Sequence, residues 1–175
     1  MRRGLSAAAV ALVLVLAPFA ALPADAGPAV VERRSVSFEA AMEIARASLA
    51  EAEAQKCVSA VVVVDDSALP LVLLRQDGAT EQFVTGATRK AWTAVNLRAS
   101  TRDLLATVKA GVEDDGQLPH VRNALFLMGG EPLRDGDAIV GAVGTAGCVE
   151  GLGDDAVARA GAAAFEKLAA GADAE

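Results

Sequence analysis

The sequence predicts a single α/β domain of the α+β type, in which an antiparallel or mixed sheet of about five strands is flanked by helices. Three observations support this fold class. Segments with an apolar period of three to four residues occur near the start, in the middle and at the end of the chain. Short apolar runs come in pairs that are joined by turn residues. Helices and strands do not alternate one for one, so a parallel doubly wound sheet fits less well.

The first predicted helix spans residues 37–56. Ser37 stands at the position of a helix N-cap, and Glu39 lies in the first turn. The preceding residues 27–36 show no stable period and are predicted to form an N-terminal arm. We therefore expect the folded domain to cover residues 37–171.

Two strands are expected next, joined as an antiparallel hairpin. Residues 58–64 consist mainly of valine, which is typical of a central strand that is buried on both faces. Residues 65–68 are turn formers, and residues 69–75 are again strand-like.

Two more helices are predicted in the middle of the chain. Residues 80–98 form a helical apolar face that carries the only tryptophan, Trp92. Ser100 and Asp103 fit a capping box, which predicts a third helix that ends near Lys109.

The last third of the chain is predicted to contain three short strands and a helix. Residues 124–128 form an apolar run, and residues 135–137 are an Asp-Gly-Asp turn that favours a hairpin. Glycines recur within residues 141–147, which indicates that another group approaches this strand closely. The final helix is predicted over residues 154–171.

Residues 1–26 have the features of a cleavable secretory signal. A basic start is followed by an apolar run of about ten residues and by a small-residue cleavage site at residues 24–26. A membrane-spanning helix needs about 20 apolar residues, and prolines interrupt this run, so an anchor is the weaker interpretation. We expect a periplasmic or secreted protein with no membrane span after processing.

The composition excludes several classes of partner. The chain has a formal net charge of −7 at pH 7, so extended contact with nucleic acid or anionic lipid is not expected. One histidine and two distant cysteines do not make a cluster of metal ligands. The cysteine spacing also excludes covalent c-type haem attachment. Small molecules and proteins remain as partners, and any haem would be held non-covalently.

The two cysteines flank the predicted sheet. Cys57 precedes the first strand and Cys148 follows the last strand. If these strands are antiparallel neighbours, the two sulfur atoms meet at one edge, and an oxidising compartment would preserve a disulfide between them. Two free thiols are the alternative.

Several segments match a known pattern in the same order along the chain: residues 71–79, 89–94, 101, 129–133, 140–147 and 155. With these segments the chain resembles the GlcG/HbpS-like family, also called the haem-degrading domain family, over essentially all of residues 37–170. The sequence departs from the family at residues 67–70 and 144–148, which touch loops that could line a pocket. The resemblance implies a profilin-like fold, assembly into homo-oligomers, and haem binding or breakdown.

His120 is the first candidate for a metal ligand. It is the only histidine, and an imidazole is a common axial ligand of haem iron. Its neighbours Pro119, Arg122 and Asn123 are typical of a loop, so an exposed loop residue is the alternative.

Further residues are candidates for ligand binding. Arg75 and Lys90, with Arg89 beside Lys90, could receive a propionate or another small carboxylate, or they could form surface ion pairs. Thr93 and Thr101 could supply hydroxyl groups at a pocket wall, although Thr101 also suits a helix start. Gly144 could present its backbone amide to an anion.

We therefore expect an exported protein that binds haem or another tetrapyrrole. The pocket would be bounded by the second helix and the glycine-rich last hairpin, between subunits. An enzyme that acts on haem with peroxide, or on a small hydroxy acid, is one alternative, and a non-catalytic oligomeric accessory protein is another. The residues alone do not decide whether the protein is an enzyme.

Overall fold

The computed structural model of the protein describes residues 30–111, 117–148 and 153–172. The predicted secretory signal, residues 1–26, lies outside these ranges, so it stays a prediction. Within them, no helix has the length and apolar character needed to cross a membrane.

The described chain contains four α-helices, four strands and one short 3-10 turn, which confirms the α+β class. Their bounds are α1 Phe38–Ala54, β1 Ala60–Asp65, β2 Pro70–Arg75, α2 Glu81–Asn96, α3 Thr101–Ala110, the 3-10 turn Leu118–His120, β3 Gly130–Asp135, β4 Ala138–Ala146 and α4 Gly153–Ala172. The predicted N-caps are observed. The hydroxyl of Ser37 accepts a hydrogen bond from the Ala40 amide, and that of Ser100 accepts one from the Asp103 amide.

The four strands form one antiparallel sheet in the order β2-β1-β4-β3. In its centre Val62 of β1 lies between Leu73 of β2 and Gly144 of β4. Residues 60–64 are fully buried. The valine run therefore forms a central strand, as its composition predicts.

The sheet has four strands where about five were expected, because residues 124–128 do not form a strand. This segment follows a tight turn and lies against α2. The amide of Leu125 donates to the hydroxyl of Thr93, so a helix side chain takes the place of a strand partner. The true edge strand, β3, begins two residues after the apolar run.

Helices cover both faces of the sheet. Side chains alternate along β1, so Val61 and Val63 pack with the core beneath α1 and α4, whereas Val62 and Val64 pack with α2. The sheet is thus the middle layer of three.

The predicted arm, residues 27–36, ends within the core. The amide of Val36 donates to the carbonyl of Val140 at 2.8 Å, and its side chain is buried. Val36 is therefore packed into the core, although a single backbone pairing leaves no periodic signal in the sequence.

Cys57 and Cys148 are joined in a disulfide, with their Cα atoms 5.2 Å apart. This is the predicted pairing. Because β1 and β4 are antiparallel neighbours, with Ala60 opposite Ala146, the residues just outside both strands meet at one edge of the sheet.

Candidate functional site

A pocket of about 280 Å³ lies between α2, the end of β4 and the segment that precedes β3. Its wall is apolar where Phe83, Leu125 and Leu127 line it. Its polar lining residues are Gln82, Thr85, Arg89, Lys90 and Asp154. An apolar wall beside a few polar groups is the usual composition of a small-molecule site.

Lys90 forms a buried ion pair at this pocket. Its side chain lines the pocket, yet the residue is only 3% exposed. The ammonium nitrogen Nζ donates to Oδ2 of Asp154 at 2.7 Å and to the carbonyl oxygen of Thr145 at 2.8 Å. An ammonium group has three N–H donors, so these two contacts leave one for another partner.

Asp154 is itself held by backbone and side-chain contacts. Its Oδ1 accepts from the Cys148 amide at 2.8 Å, and its own amide donates to the Cys148 carbonyl at 3.1 Å. Its carbonyl accepts from the hydroxyl of Thr145 at 2.7 Å. Asp154 also lies in the first turn of α4, where the helix dipole favours a negative charge. The counter-ion of Lys90 therefore has a fixed position.

The hydroxyl groups of Thr93 and Thr101 are used inside the protein. Thr93 Oγ1 accepts from the Leu125 amide at 2.8 Å, and Thr101 Oγ1 accepts from the Gly130 amide at 2.8 Å. Both residues are fully buried. These two contacts fix the backbone on both sides of residues 126–129. Neither threonine lines the pocket, where the sequence predicted both.

Gly144 packs against α2 and is not among the residues that line the pocket. A Cβ atom at this position would lie 2.1 Å from the carbonyl oxygen of Ala87 and 2.5 Å from the Ala91 nitrogen. The close approach that the glycines indicate is therefore made by a helix of the same chain. Gly144 is paired with Val62 on one side and with Gly130 on the other, and the contact of its amide with an anion stays a prediction.

Arg75 and His120 lie away from the pocket lining. Arg75 donates to the carbonyl of Ala79 at 2.7 Å and closes the turn after β2. His120 is exposed at the end of the 3-10 turn. Lys90, Thr93, Thr101 and Gly144 do come together around α2, but of these four only Lys90 lines the pocket.

Arg89, the candidate cation beside Lys90, also lines the pocket. Its guanidinium donates to the carbonyl of Ala124 at 2.6 Å and to that of Asn123 at 3.3 Å. It therefore holds the apolar segment of residues 124–128 against α2. The sequence signal for a ligand-binding role of Arg89 is its position next to Lys90.

A second charged cluster lies at the start of β3 and α3. Arg102 donates to Oδ2 of the buried Asp155 at 2.7 Å, and this hydrogen bond raises the pKa of Arg102. Burial raises the pKa of Glu131, against the opposing charge of Arg102. Oε2 of Glu131 is buried and has no hydrogen-bond partner within the part of the chain that the structure describes. Among the described residues, no group of three or more His, Cys, Asp or Glu side chains is arranged to hold a metal ion.

The fold and the pocket define a class of small α+β domains with an antiparallel four-stranded sheet between helices. The family model described as "Haem degrading protein HbpS-like" matches residues 36–163. The chain therefore belongs to the HbpS-like family.

Solved structures agree with this assignment. A double mutant of HbpS from Streptomyces reticuli is 38% identical, with a TM-score of 0.71 over 83% of this chain and 97% of that one. The structure of a PduOC:heme complex is 26% identical, with a TM-score of 0.67 over 74% of this chain and 94% of that one. Protein ORFY of Klebsiella pneumoniae, at 23% identity and a TM-score of 0.72 over 79% of this chain and 96% of that one, shares the fold. A search of the curated proteins finds no match.

Proposed function

We propose that this protein binds haem non-covalently, outside the cytoplasm, in the pocket between α2 and the end of β4. The observation that carries the proposal is the pairing of an apolar wall with cations in one pocket of an HbpS-like chain. Haem has a flat apolar ring and two carboxylate groups. Phe83, Leu125 and Leu127 suit the ring, and Arg89 and Lys90 suit a propionate. The haem complex of the PduOC structure is further support.

The size of the pocket favours a ligand shared between two copies of the chain. Its volume of about 280 Å³ lies just below the roughly 300–1,000 Å³ typical of pockets that enclose a whole ligand. Leu127, on its wall, is 55% exposed. We therefore propose a homo-oligomer in which a second copy covers the part of the haem that this pocket leaves open.

The pocket fits the porphyrin and its carboxylates better than it fits the iron. Its described lining residues include no histidine, cysteine, methionine or tyrosine, which are the usual protein ligands of haem iron. We therefore expect iron-free protoporphyrin to bind with an affinity within about threefold of that of haemin. His120→Ala should leave both affinities unchanged. A much weaker affinity for protoporphyrin would show that the protein ligates the iron. A loss of haemin affinity in His120→Ala would show that the imidazole is the ligand.

A titration with haemin, followed by visible absorption, tests the proposal. The wild-type protein should give a saturable Soret shift, and Leu127→Asp should weaken binding at least tenfold, because about 1.5–3 kcal/mol follows from burying a leucine side chain. Leu73→Asp is the matched control. Leu73 is 46% exposed on the edge strand β2, away from the pocket lining. No saturable shift, or equal losses in both variants, would contradict the proposal.

Haem breakdown is the second candidate, and the description of the family favours it. It requires a co-reactant such as peroxide. With the haem complex and peroxide, the Soret band should bleach faster than it does for free haemin, and Lys90→Ala should remove the difference. If the complex bleaches at the same rate as free haemin, the protein does not accelerate haem breakdown, and only the binding proposal stands.

The export step has a separate test. The basic start, the apolar run and the small-residue site of residues 1–26 support removal by a signal peptidase. We expect the protein recovered from its native host to begin at Gly27, which N-terminal sequencing would detect. An intact Met1 on protein from the cytosol would contradict export.

A further inference from the structure

We propose that the Cys57–Cys148 disulfide is a positioning element of the pocket, and that its reduction weakens the binding of an anionic ligand at Lys90. The proposal rests on the proposed function for the identity of the ligand. The link itself consists of contacts within the described chain, from the disulfide to Asp154 and from Asp154 to Lys90.

The first step joins Cys148 to Asp154. Two hydrogen bonds connect these residues in opposite directions, one to Oδ1 of Asp154 and one from its amide. The contact is close, because a Cβ atom on Gly153 would lie 2.5 Å from the Cys148 carbonyl oxygen. The carboxylate of Asp154 therefore follows the backbone position of Cys148.

The second step joins Asp154 to the pocket. The Oδ2 atom that is not bonded to Cys148 accepts from Lys90 Nζ at 2.7 Å. Thr145 completes a ring of hydrogen bonds, because it donates to the Asp154 carbonyl and accepts from Lys90. A displaced Asp154 would change both the orientation and the local charge of the ammonium group that lines the pocket.

The disulfide anchors Cys148 to a different part of the fold. Cys57 follows α1, and its amide donates to the carbonyl of Ala52 at 3.0 Å. The side chains of Ala52 and Val157 pack around Cys148. With the sulfur–sulfur bond intact, Cys148, two residues after β4, is fixed to the segment that follows α1. Reduction removes that constraint and leaves Cys148 held by its contacts with Asp154 and by packing.

Reduction of this bond is ordinary thiol–disulfide exchange. A dithiol reductant attacks one sulfur, the Cys57–Cys148 bond breaks, and the two cysteines take up two electrons and two protons as thiols while the reductant closes its own disulfide. Cys57 is half-buried and Cys148 is buried, so the attack is expected at the Cys57 side.

Haemin titrations of oxidised and dithiol-reduced protein test the link. Reduction should weaken binding about five- to tenfold, at the low end of the range for coupled sites. In oxidised protein, Asp154→Asn should weaken binding to a similar extent. In Asp154→Asn and in Lys90→Gln, reduction should have no further effect, because the path to the pocket is already broken.

Three results would overturn the proposal. They are equal affinities of oxidised and reduced wild type, an unchanged affinity of oxidised Asp154→Asn, and an equal loss on reduction in Lys90→Gln, which would show general loosening. Circular dichroism monitors folding. Unfolding of the reduced protein would be a fourth such result, because reduction would then act through loss of the fold and not through the position of Asp154.

A failure of haem binding is distinguishable from a failure of this link. If oxidised wild type does not bind haemin, the proposed function is wrong. The link is then read from the ¹⁵N resonance of Lys90 Nζ, which should shift on reduction and in Asp154→Asn. An unchanged resonance in both would overturn the link.

Discussion

The two faces of the sheet are packed by residues of very different size. Beneath α1 and α4 the core contains large side chains, among them Ile44, Leu133 and Phe165. Beneath α2 it consists largely of small residues: Ala60, Ala87, Ala91, Ala94, Ala142 and Ala146, with Gly144 directly under the helix. The buried lysine, the pocket and the disulfide-linked turn all adjoin α2 or the end of β4.

The difference shows where a site can be built in a small domain. Small residues let the backbone of α2 approach β4, so Lys90 of the helix reaches the carbonyl of Thr145 on the strand directly. The other face is filled mainly by apolar side chains, and its buried Ser48 Oγ has no hydrogen-bond partner among the described residues. We therefore expect changes at the α2 face to act through charge and backbone contact, and changes at the other face to act through volume.

The largest expected loss of stability follows from the removal of the Asp154 carboxylate. Asp154→Ala leaves the ammonium of Lys90 buried without its counter-ion, and breaking a buried pair in this way costs about 3–5 kcal/mol of unfolding free energy. Urea unfolding measures it. Glu53→Ala, on the exposed surface of α1, is the control and should change stability by less than about 0.5 kcal/mol.

A double variant sharpens this prediction. Lys90→Met/Asp154→Ala removes both charges, so it should be more stable than Asp154→Ala alone. If Lys90→Met instead lowers the unfolding free energy of Asp154→Ala further, the burial of an unpaired charge does not explain the loss of stability in the single variant.

The next largest loss of stability is expected when one carbon atom is added between α2 and β4. Gly144→Ala places its Cβ against backbone atoms of Ala87 and Ala91, which cannot rotate away, so we expect a loss of about 3 kcal/mol. Gly171→Ala is the matched control in α4. No atom of the described residues lies within 4 Å of its Cβ position, and the higher helix propensity of alanine should make the change neutral or stabilising by up to about 1 kcal/mol. Thermal unfolding of both variants checks the prediction. Equal changes in Tm would show that the close packing of Gly144 against α2 does not contribute to stability.

A smaller loss of stability is expected when one carbon atom is removed from the core between the sheet and the helices α1 and α4. Ile44→Val leaves a small void in a fully buried cluster, at a cost of about 0.5–1.5 kcal/mol in urea unfolding. Because Ile44 has no contact in the Lys90–Asp154 ring, haemin affinity should not change. A loss of affinity as large as that in Leu127→Asp would remove the distinction between the two faces.

The smallest effect concerns the pH dependence of stability through Glu131. Burial raises its pKa above the ordinary value of 4.5, so the folded protein binds more protons here than the unfolded chain. Its favourable contribution is present below pH 4.5 and is lost as the pH rises through the raised pKa. Relative to Glu131→Gln, the wild type should lose unfolding free energy as the pH increases from about 4.5. A gain over the same range would show that Arg102 outweighs burial.

Much of the fold could be predicted because its signals are local. Ser37 and Ser100 stand at helix N-caps, and the run of valines in β1 occupies the buried centre of the sheet. The cysteine pairing followed from one assumption about neighbouring strands, which the sheet order satisfies. Residues 124–128 have the apolar composition of a strand, but composition does not report which group accepts or donates their backbone hydrogen bonds.

The site was predicted less completely, because its members depend on packing between distant segments. Lys90 and Asp154 are 64 residues apart, and no periodic pattern connects them. Thr93 and Thr101 have hydroxyl groups suited to a ligand, yet tertiary contacts direct them to backbone amides.

The amino-acid sequence by itself determined the helices, the two hairpins and the α+β class, because periodicity, caps and turn residues act over a few neighbouring positions. The tertiary structure alone decided which groups meet: that α2 lies on Gly144, that Lys90 pairs with Asp154, and that His120 remains on the surface. The physical reason is that hydrogen bonds and ion pairs between distant residues depend on sheet register and helix position. These are fixed only when the whole core is packed.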